Sequence, residues 1–362
     1  MKKHYFLGLA AGRKGAFRQL TVRGREKDRR ELEEYLSKRY GGEAILCKNG
    51  RSALALALKA YFNRGDKVLV NGFTCYAVYE AVKAAGLVPV WVDVEKNGVN
   101  FGVKELETVL ARNTAKGVIV QNTLGNPVDM VAIEKIAKKH NLVIIEDLAH
   151  SVGVKYADGR EAGTVGVATV LSFGKEKAID TTSGGAVVLR SGGEVAEPSK
   201  APKLSDYLRE RWYPTFAAIA RGLSYVHLSG IWMRGLIKMR WIEKSADNRL
   251  DLERKMPKFE ARLALEQLRN KQNTGTLRDY YLVRNREEVL AKLRARGYYF
   301  DGLWYEKPVS PVRYYRNVHF PEKDCPAATE VASKIVNLPK YYSKRELEKA
   351  REIIEEYTDA RV

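Results

Sequence analysis

Two lysines, Lys175 and Lys177, stand in the run Leu171-Ser172-Phe173-Gly174-Lys175-Glu176-Lys177-Ala178-Ile179-Asp180-Thr181-Thr182-Ser183-Gly184-Gly185. The apolar stretch Ala168 to Phe173 leads into them, and a second apolar stretch starts at Ala186. A strand end that delivers an amine, then hydroxyls and glycines, suits one task. The amine enters a cavity, and hydroxyls and backbone amides beside it hold something anionic. Such an amine attacks a carbonyl when burial or neighbouring positive charge lowers its pKa. Periodicity does not say which of the two lysines faces the cavity.

Asp147 closes the apolar run Val143-Ile144-Ile145-Glu146, thirty residues before Lys177, and Leu148-Ala149-His150-Ser151 follow it. A carboxylate at the end of a buried strand is costly without a cationic or hydrogen-bonding partner. A helix N-cap is the simplest partner for a lone aspartate. The protonated ring nitrogen of pyridoxal phosphate is another, because a carboxylate that keeps that nitrogen protonated makes the ring an electron sink. His150 on its own reads as a structural histidine.

The elements that must position these groups follow from the apolar pattern. Apolar strands at Lys67–Val70, Val88–Val92, Gly117–Gln121 and Leu142–Ile145 alternate with helical segments at Tyr76–Ala85, Val103–Ala111 and Val131–Lys139. That alternation predicts an α/β domain with a mostly parallel sheet, which binds ligands beyond the carboxyl ends of its strands. The strand Ala44–Cys47, a turn at Lys48-Asn49-Gly50 and a helix from Arg51 place backbone N–H groups and a positive helix end where a phosphate could sit. An ordinary strand-to-helix turn reads the same way.

The 362 residues carry a formal net charge of +19, with 45% hydrophobic and 30% charged residues. This describes a globular chain with a sizeable core and anionic company: a phosphorylated ligand, an acidic membrane surface or nucleic acid. Nucleic-acid binding would rest on charge alone, since no recognition module is present, and none is expected. Cys47, Cys75 and Cys325 are odd in number and widely spaced, so they predict neither a disulfide framework nor a metal site. Residues 1–12 read as an extended arm. Their apolar stretch is too short for a signal peptide, and a cytoplasmic location is expected.

From about Glu31 to Leu189, with a weaker echo at Met256 to Leu268, the chain resembles the DegT/DnrJ/EryC1/StrS family. Its members are pyridoxal phosphate-dependent sugar aminotransferases of fold type I. The resemblance is carried by Asn49-Gly50-Arg51-Ser52-Ala53-Leu54, Gly72-Phe73-Thr74, Gly86-Leu87-Val88-Pro89-Val90-Trp91-Val92-Asp93-Val94, Asn122-Thr123-Leu124-Gly125-Asn126-Pro127, Ile145-Glu146-Asp147-Leu148-Ala149-His150-Ser151, and Ser172 through Gly185. It implies a mostly parallel mixed sheet in a large domain, with a small α+β C-terminal domain. It also implies that Lys177, five residues after Ser172, is the Schiff-base lysine and proton shuttle. Asp147 resembles the partner of the pyridine nitrogen, and His150 the contact to the ring's phenolic oxygen. Ser172 matches a phosphate ligand, with Gly50 and the amides of Arg51 and Ser52 beside it, and Asn122 falls within a matching strand end. A homodimer is implied, because sites of this family lie between subunits.

Three departures bear on the ligand. The family usually has an aromatic at Cys75, stacked on the cofactor ring, and Tyr76 is the candidate replacement. The family's phosphate-binding stretch from the partner subunit corresponds to Asp251-Leu252-Glu253-Arg254-Lys255, where Arg254 or Lys255 would take that role. Near Asn337-Leu338-Pro339-Lys340-Tyr341-Tyr342 the usual histidine is missing. The expected reaction moves an amino group from an amino acid, glutamate in most of the family, to a keto-sugar that is nucleotide- or lipid-linked. A sugar dehydratase is the related alternative, against which Lys177 argues. A basic membrane-surface protein with reduced catalysis is the alternative of another class.

The expected division is an N-terminal arm and helix (1–40), the large cofactor-binding domain (41–203), a basic, aromatic helical segment with a return helix (204–274), and the small C-terminal domain (275–362). Leu204 to Ile242 combines Trp212, Tyr213, Phe216, Trp232 and Trp241 with six arginines and lysines. It falls short of the roughly 20 apolar residues a spanning helix needs. A hairpin packed on the large domain and a peripheral contact with the inner face of a membrane both fit such an amphipathic pattern. A helix is expected over Pro257 to Asn273, a further helical run over Leu277 to Gly297, and a closing helix from Lys344 to Tyr357 with a capping box from Ser343 to Glu346.

Overall fold

The computed structural model describes residues 4–5, 12–190, 192–223, 226, 228–242, 249–270, 277–299, 304–339 and 344–358. The proposed capping box at Ser343, and Lys340 to Tyr342, lie outside these residues. A short strand, β1 (His4–Tyr5), precedes two helices, α1 (Gly12–Thr21) and α2 (Glu26–Tyr40). Gly41 ends α2 by turning left-handed (φ 73°) and donating its N–H to the Ser37 carbonyl, a conformation that costs a residue with a β-carbon more than it costs glycine.

The predicted alternation follows as β2 (Glu43–Cys47), α3 (Gly50–Tyr61), β3 (Lys67–Asn71), β4 (Thr74–Cys75), α4 (Tyr76–Ala84) and β5 (Val88–Val92). It continues through α5 (Val103–Leu110), β6 (Gly117–Gln121), α6 (Met130–His140), β7 (Val143–Asp147), β8 (Ala168–Ser172) and β9 (Gly185–Leu189). Seven of these strands form one sheet in the order β2-β9-β8-β7-β6-β3-β5. Only β9 runs against its neighbours.

Alternate residues of each strand face opposite ways, and both faces are covered. Leu46, Leu69, Val120, Ile144 and Val188 pack with α2 and α6, while Ile45, Val68, Ile119, Ile145 and Val187 pack with α3 and α4. Double coverage is why these strands read as continuous apolar runs. Glu146, between Ile145 and Asp147, is fully buried, and its carboxylate accepts from Tyr156 Oη and the amides of Gly163, Val165 and Gly166. It is a structural clasp for the loop that leads to β8.

Beyond β9 the chain forms α7 (Leu204–Leu223), α8 (Ser229–Lys238) and α9 (Lys258–Asn270). Helices α7 and α8 share a small core of Tyr213, Leu236 and Ile242, with Phe216 and Trp232 against it. Arg211 donates to the Leu20 and Val22 carbonyls, and Lys48 pairs with Asp206 at 2.6 Å. Both contacts tie α7 to the body of the protein.

The C-terminal part is β10 (Arg278–Leu282), α10 (Arg286–Ala295), β11 (Tyr298–Tyr299), β12 (Val309–Ser310), α11 (Val312–Tyr315), α12 (Pro326–Lys334), β13 (Ile335–Pro339) and α13 (Lys344–Glu355). The helical run expected over Leu277 to Gly297 is a strand in its first part: β10 pairs antiparallel with β13. The reason is period-two burial, with Tyr281 packed into one apolar cluster and Tyr280 and Leu282 into another. Helix α1 packs on α7; of the expected N-terminal arm, residues 1–3 and 6–11 lie outside the described residues.

Candidate active site

The carboxyl ends of β6, β7 and β8 bring the sequence candidates together. Gln121 and Asp147 are register partners. A chain of hydrogen bonds runs from Thr74 Oγ1 to Gln121 Oε1 (2.6 Å) and from Gln121 Nε2 to Asp147 Oδ2 (3.1 Å). Asp147 Oδ1 accepts from the Ala149 amide at 3.0 Å, so the aspartate closes its turn with one oxygen and meets Gln121 with the other. Burial raises its pKa, and the Ala149 amide, the Lys177 amine and Gln121 oppose that shift.

Lys177 lies in a short loop held by Asp180, whose carboxylate accepts from the amides of Glu176 (3.0 Å) and Thr182 (2.9 Å). Glu176 and Thr182 both have positive φ, 66° and 78°. These are left-handed conformations that the clasp makes tolerable at a cost of about 1–2 kcal/mol each. Burial pushes the Asp180 carboxyl up to about 6. Burial also lowers the Lys177 amine; Cys75, Asp147 and Glu176 pull it up, and Arg278 adds to the lowering. Lys175, the rival lysine, packs on α7. Its Nζ sits 3.8 Å over the Tyr213 ring of α7.

His150 accepts from the Leu124 amide at Nδ1 (3.1 Å), so the proton of the neutral ring is on Nε2. Burial, with Lys177 and Arg278 nearby, holds its pKa well below the ordinary histidine range. Its ring stacks on Trp304 with centroids 5.0 Å apart. The same indole carries Lys177 Nζ at 4.6 Å and the Arg278 guanidinium at 4.0 Å. Asn337 binds this wall together, accepting from Arg278 (2.8 Å) and donating to the Trp304 carbonyl (2.8 Å).

Ser172 packs against the start of α3. A β-carbon at Gly50 would fall 2.5 Å from Ser172 Cβ and 2.7 Å from its Oγ, and one at Gly185 would meet Gly50 N at 2.5 Å. Asn49 caps the helix by accepting from Ser52 N (2.9 Å), and Ser52 Oγ accepts from the Asp251 amide. The Arg51 side chain turns to Glu80.

Cys75 lies close enough to influence the Lys177 amine, whereas Tyr76 stacks on Tyr314 with centroids 4.5 Å apart. The Asn122 amide is engaged with the Val128 amide, Ser151 and Tyr156, and Gln121 is the neighbour that meets Asp147. Arg254 is held by Asp251 and the Ala201 carbonyl. Sequence reasoning missed Gln121, Arg278 and Trp304, and quoted Asn337 without giving it a role; Gln121, a polar residue ending an apolar strand, carried a signal.

These groups fit pyridoxal phosphate. A buried, depressed amine meets the aldehyde, a buried carboxylate lies within its field for the ring nitrogen, and a glycine-lined helix start beside Ser172 Oγ suits the phosphate. Among the described residues no group of three or more His, Cys, Asp or Glu side chains could hold a metal ion.

Comparison with known proteins agrees with this geometry. The profile of the DegT/DnrJ/EryC1/StrS aminotransferase family matches residues 18–225. A pleiotropic regulatory protein of Geobacillus stearothermophilus is 26% identical over 307 residues, 83% of this chain and 81% of that one. A GDP-perosamine synthase of Caulobacter vibrioides is 37% identical over 145 residues, which is 40% of this chain and 38% of that one, so less than half of that enzyme is spanned. In fold, the chain is similar to a DegT/DnrJ/EryC1/StrS aminotransferase from Brucella abortus, with a TM-score of 0.65 and 22% identity over 93% of this chain and 92% of that one.

Proposed function

The chain belongs to the DegT/DnrJ/EryC1/StrS aminotransferase family, and from that premise we propose that it is a pyridoxal phosphate-dependent aminotransferase. It takes the amino group of an amino acid, with glutamate the expected donor, and passes it to a nucleotide-linked keto-sugar. The observation that carries this reading is the pairing, at neighbouring strand ends, of the buried Asp147 carboxylate with the pKa-lowered Lys177 amine. The cofactor, when bound, supplies an electron sink for charge developing at the substrate carbon.

The residues do the rest. Lys177 would hold the cofactor's aldehyde carbon and would accept and return the proton at the substrate carbon. Burial lowers its pKa, the direction that favours a proton acceptor. Asp147 would keep the proton on the cofactor's ring nitrogen. Neutral His150 offers Nε2–H as a donor, and Ser172 with the first amides of α3 receives the phosphate. The test is optical. Protein mixed with cofactor gives an absorbance band that shifts on adding glutamate, and Lys177→Ala abolishes both while Lys175→Ala leaves both. The opposite result sinks the assignment.

Homodimerisation is part of the reading, on family grounds, and sedimentation tests it. We further propose that the α7–α8 hairpin touches an anionic membrane surface. Ile231 and Met239 are each 62% exposed and lie among exposed Arg234, Lys238 and Arg240, the mix of apolar and basic groups that favours such a surface. No helix among the described residues is long and apolar enough to cross a membrane. The double variant Ile231→Glu, Met239→Glu should stop flotation with acidic vesicles; unchanged flotation would exclude the hairpin.

A further inference from the structure

A cavity of about 810 Å³ opens where α7, the end of α8 and residues 249–251 meet, and no residue given a part in the chemistry above lines it. Five cations, Lys48, Lys203, Arg209, Arg240 and Arg249, line it against two carboxylates, Asp206 and Asp251. Its floor is an ion cluster. Asp206 accepts from Lys48 Nζ at 2.6 Å and also pairs with Arg209, and none of the three side chains is more than 20% exposed. One carboxylate against two cations leaves positive charge at the floor. The other carboxyls near Lys48 cancel it only in part, because burial pushes Glu210 of α7 up to about 7 and Glu260 of α9 well above the ordinary carboxylate range. Asp251 is paired with Arg254 at 3.1 Å. The lip is of another kind. Ile237, Met239 and Trp241 line the cavity and are exposed to solvent, as are Lys203 and Arg240.

A free anion would answer the floor and leave the apolar lip in water; an uncharged hydrocarbon would answer the lip and leave the floor. We propose that the cavity seats the phosphate of an acidic membrane lipid, drawn in by Lys48 and Arg209 and flanked by Lys203 and Arg240, with the first methylenes of its chains against Ile237, Met239 and Trp241. The proposal rests on the membrane-contact reading and deepens it, from a diffuse attraction to one saturable site per chain. Arginine suits the headgroup because its planar fork matches phosphate oxygens, and an indole suits the boundary between headgroup and hydrocarbon. Met239 belongs both to the exposed hairpin face and to the cavity wall, so face and headgroup meet the membrane on one side of the molecule. That side adjoins the start of α3. The Arg249 carbonyl accepts from Asn49 Nδ2 at 3.0 Å, and the Asp251 amide donates to Ser52 Oγ at 3.0 Å. A seated lipid therefore holds the α3 end of the candidate active site close to the membrane.

The test uses the full chain with cofactor bound. Calorimetry compares dihexanoylphosphatidic acid, kept below its micelle concentration, with inorganic phosphate, and flotation compares phosphatidylcholine vesicles with and without phosphatidic acid. The short lipid should saturate at one per chain, bind roughly tenfold or more tighter than inorganic phosphate, and reduce flotation with the acidic vesicles. Arg209→Gln and Arg240→Gln should each weaken the short lipid roughly tenfold. The pair Arg234→Gln, Lys238→Gln removes two exposed charges of α8 from outside the cavity and should change it by less than about twofold. Arg240 is exposed at the lip, so its replacement spares the fold even where Arg209→Gln does not, and the cofactor's absorbance band reports the fold of each variant. Equal affinity for inorganic phosphate and the short lipid, or a control pair as damaging as Arg240→Gln, overturns the proposal. Flotation without saturable binding of the short lipid overturns it too and leaves the membrane-contact reading standing. Saturable binding of the short lipid without flotation upholds the phosphate seat and sinks the membrane-contact reading.

Discussion

Asp147→Asn separates what this carboxylate costs the empty protein from what it gives the loaded one. In the empty site the substituted side chain keeps Oδ1 as acceptor for the Ala149 amide at 3.0 Å. Its new amide would face the Gln121 amide, so Gln121 turns over. Gln121 Oε1 then accepts from that new amide only by giving up the Thr74 hydroxyl, and that hydroxyl can accept from Nε2 in return. The number of hydrogen bonds is conserved, and the change is worth within about 1 kcal/mol, a melting shift under about 3 °C.

The sign also depends on pH. The folded pKa of Asp147 is raised above 3.8, so from that pH upward the unfolded chain ionises first and the wild-type folded state loses stability. The cofactor-free variant should therefore gain on wild type as pH rises. With cofactor the order reverses. A charge-assisted bond to the ring nitrogen, worth about 1.5–3 kcal/mol, is lost, and cofactor Kd rises roughly 10- to 100-fold. Calorimetric melting of the empty protein and absorbance titration of the loaded one read the two halves. Unchanged cofactor affinity, or an empty variant less stable than wild type by several degrees at pH 8, would refute the reasoning.

Gly50→Ala forces a methyl against Ser172 and should cost about 1–3 kcal/mol together with phosphate affinity, while Gly222→Ala, on open helix surface, should leave both intact; equal melting shifts in thermal scans would sink the close-approach argument. Glu260, fully buried in α9, is raised well above 4.5 by burial and by Glu210 of α7. Between 4.5 and the raised folded pKa only the unfolded chain ionises there, which takes stability from the fold as pH rises through that window, by up to about 1.4 kcal/mol per pH unit. The melting temperature of Glu260→Gln minus that of wild type should accordingly grow from pH 5 to pH 8, and a pH-independent difference would count against this account.

The large sheet was legible because parallel strands buried on both faces are written as apolar runs, and the residues after each run fall at the ligand-binding edge. Lys177, Asp147, His150, Ser172 and Gly50 were singled out that way and by family spacing. At a strand end one residue decides the face, which is why Asn122 was singled out while its neighbour Gln121 meets Asp147. The wall was not legible. Arg278, Trp304 and Asn337 come from three separate stretches and meet because β10 pairs with β13, a long-range choice that leaves no local period. The stretch from Leu277 runs straight into the true helix α10, so its first residues borrowed a helical look.

Trp304 gives the molecule an optical gauge. The sequence contains five tryptophans, and this one touches an imidazole, an amine and a guanidinium within about one ring diameter. Its emission should change in colour and yield when the amine or the guanidinium beside it is neutralised or withdrawn. A Trp304→Phe difference spectrum would isolate that signal from the other four indoles. Occupancy of the site could then be followed on the millisecond scale without a labelled ligand or a coupled reaction.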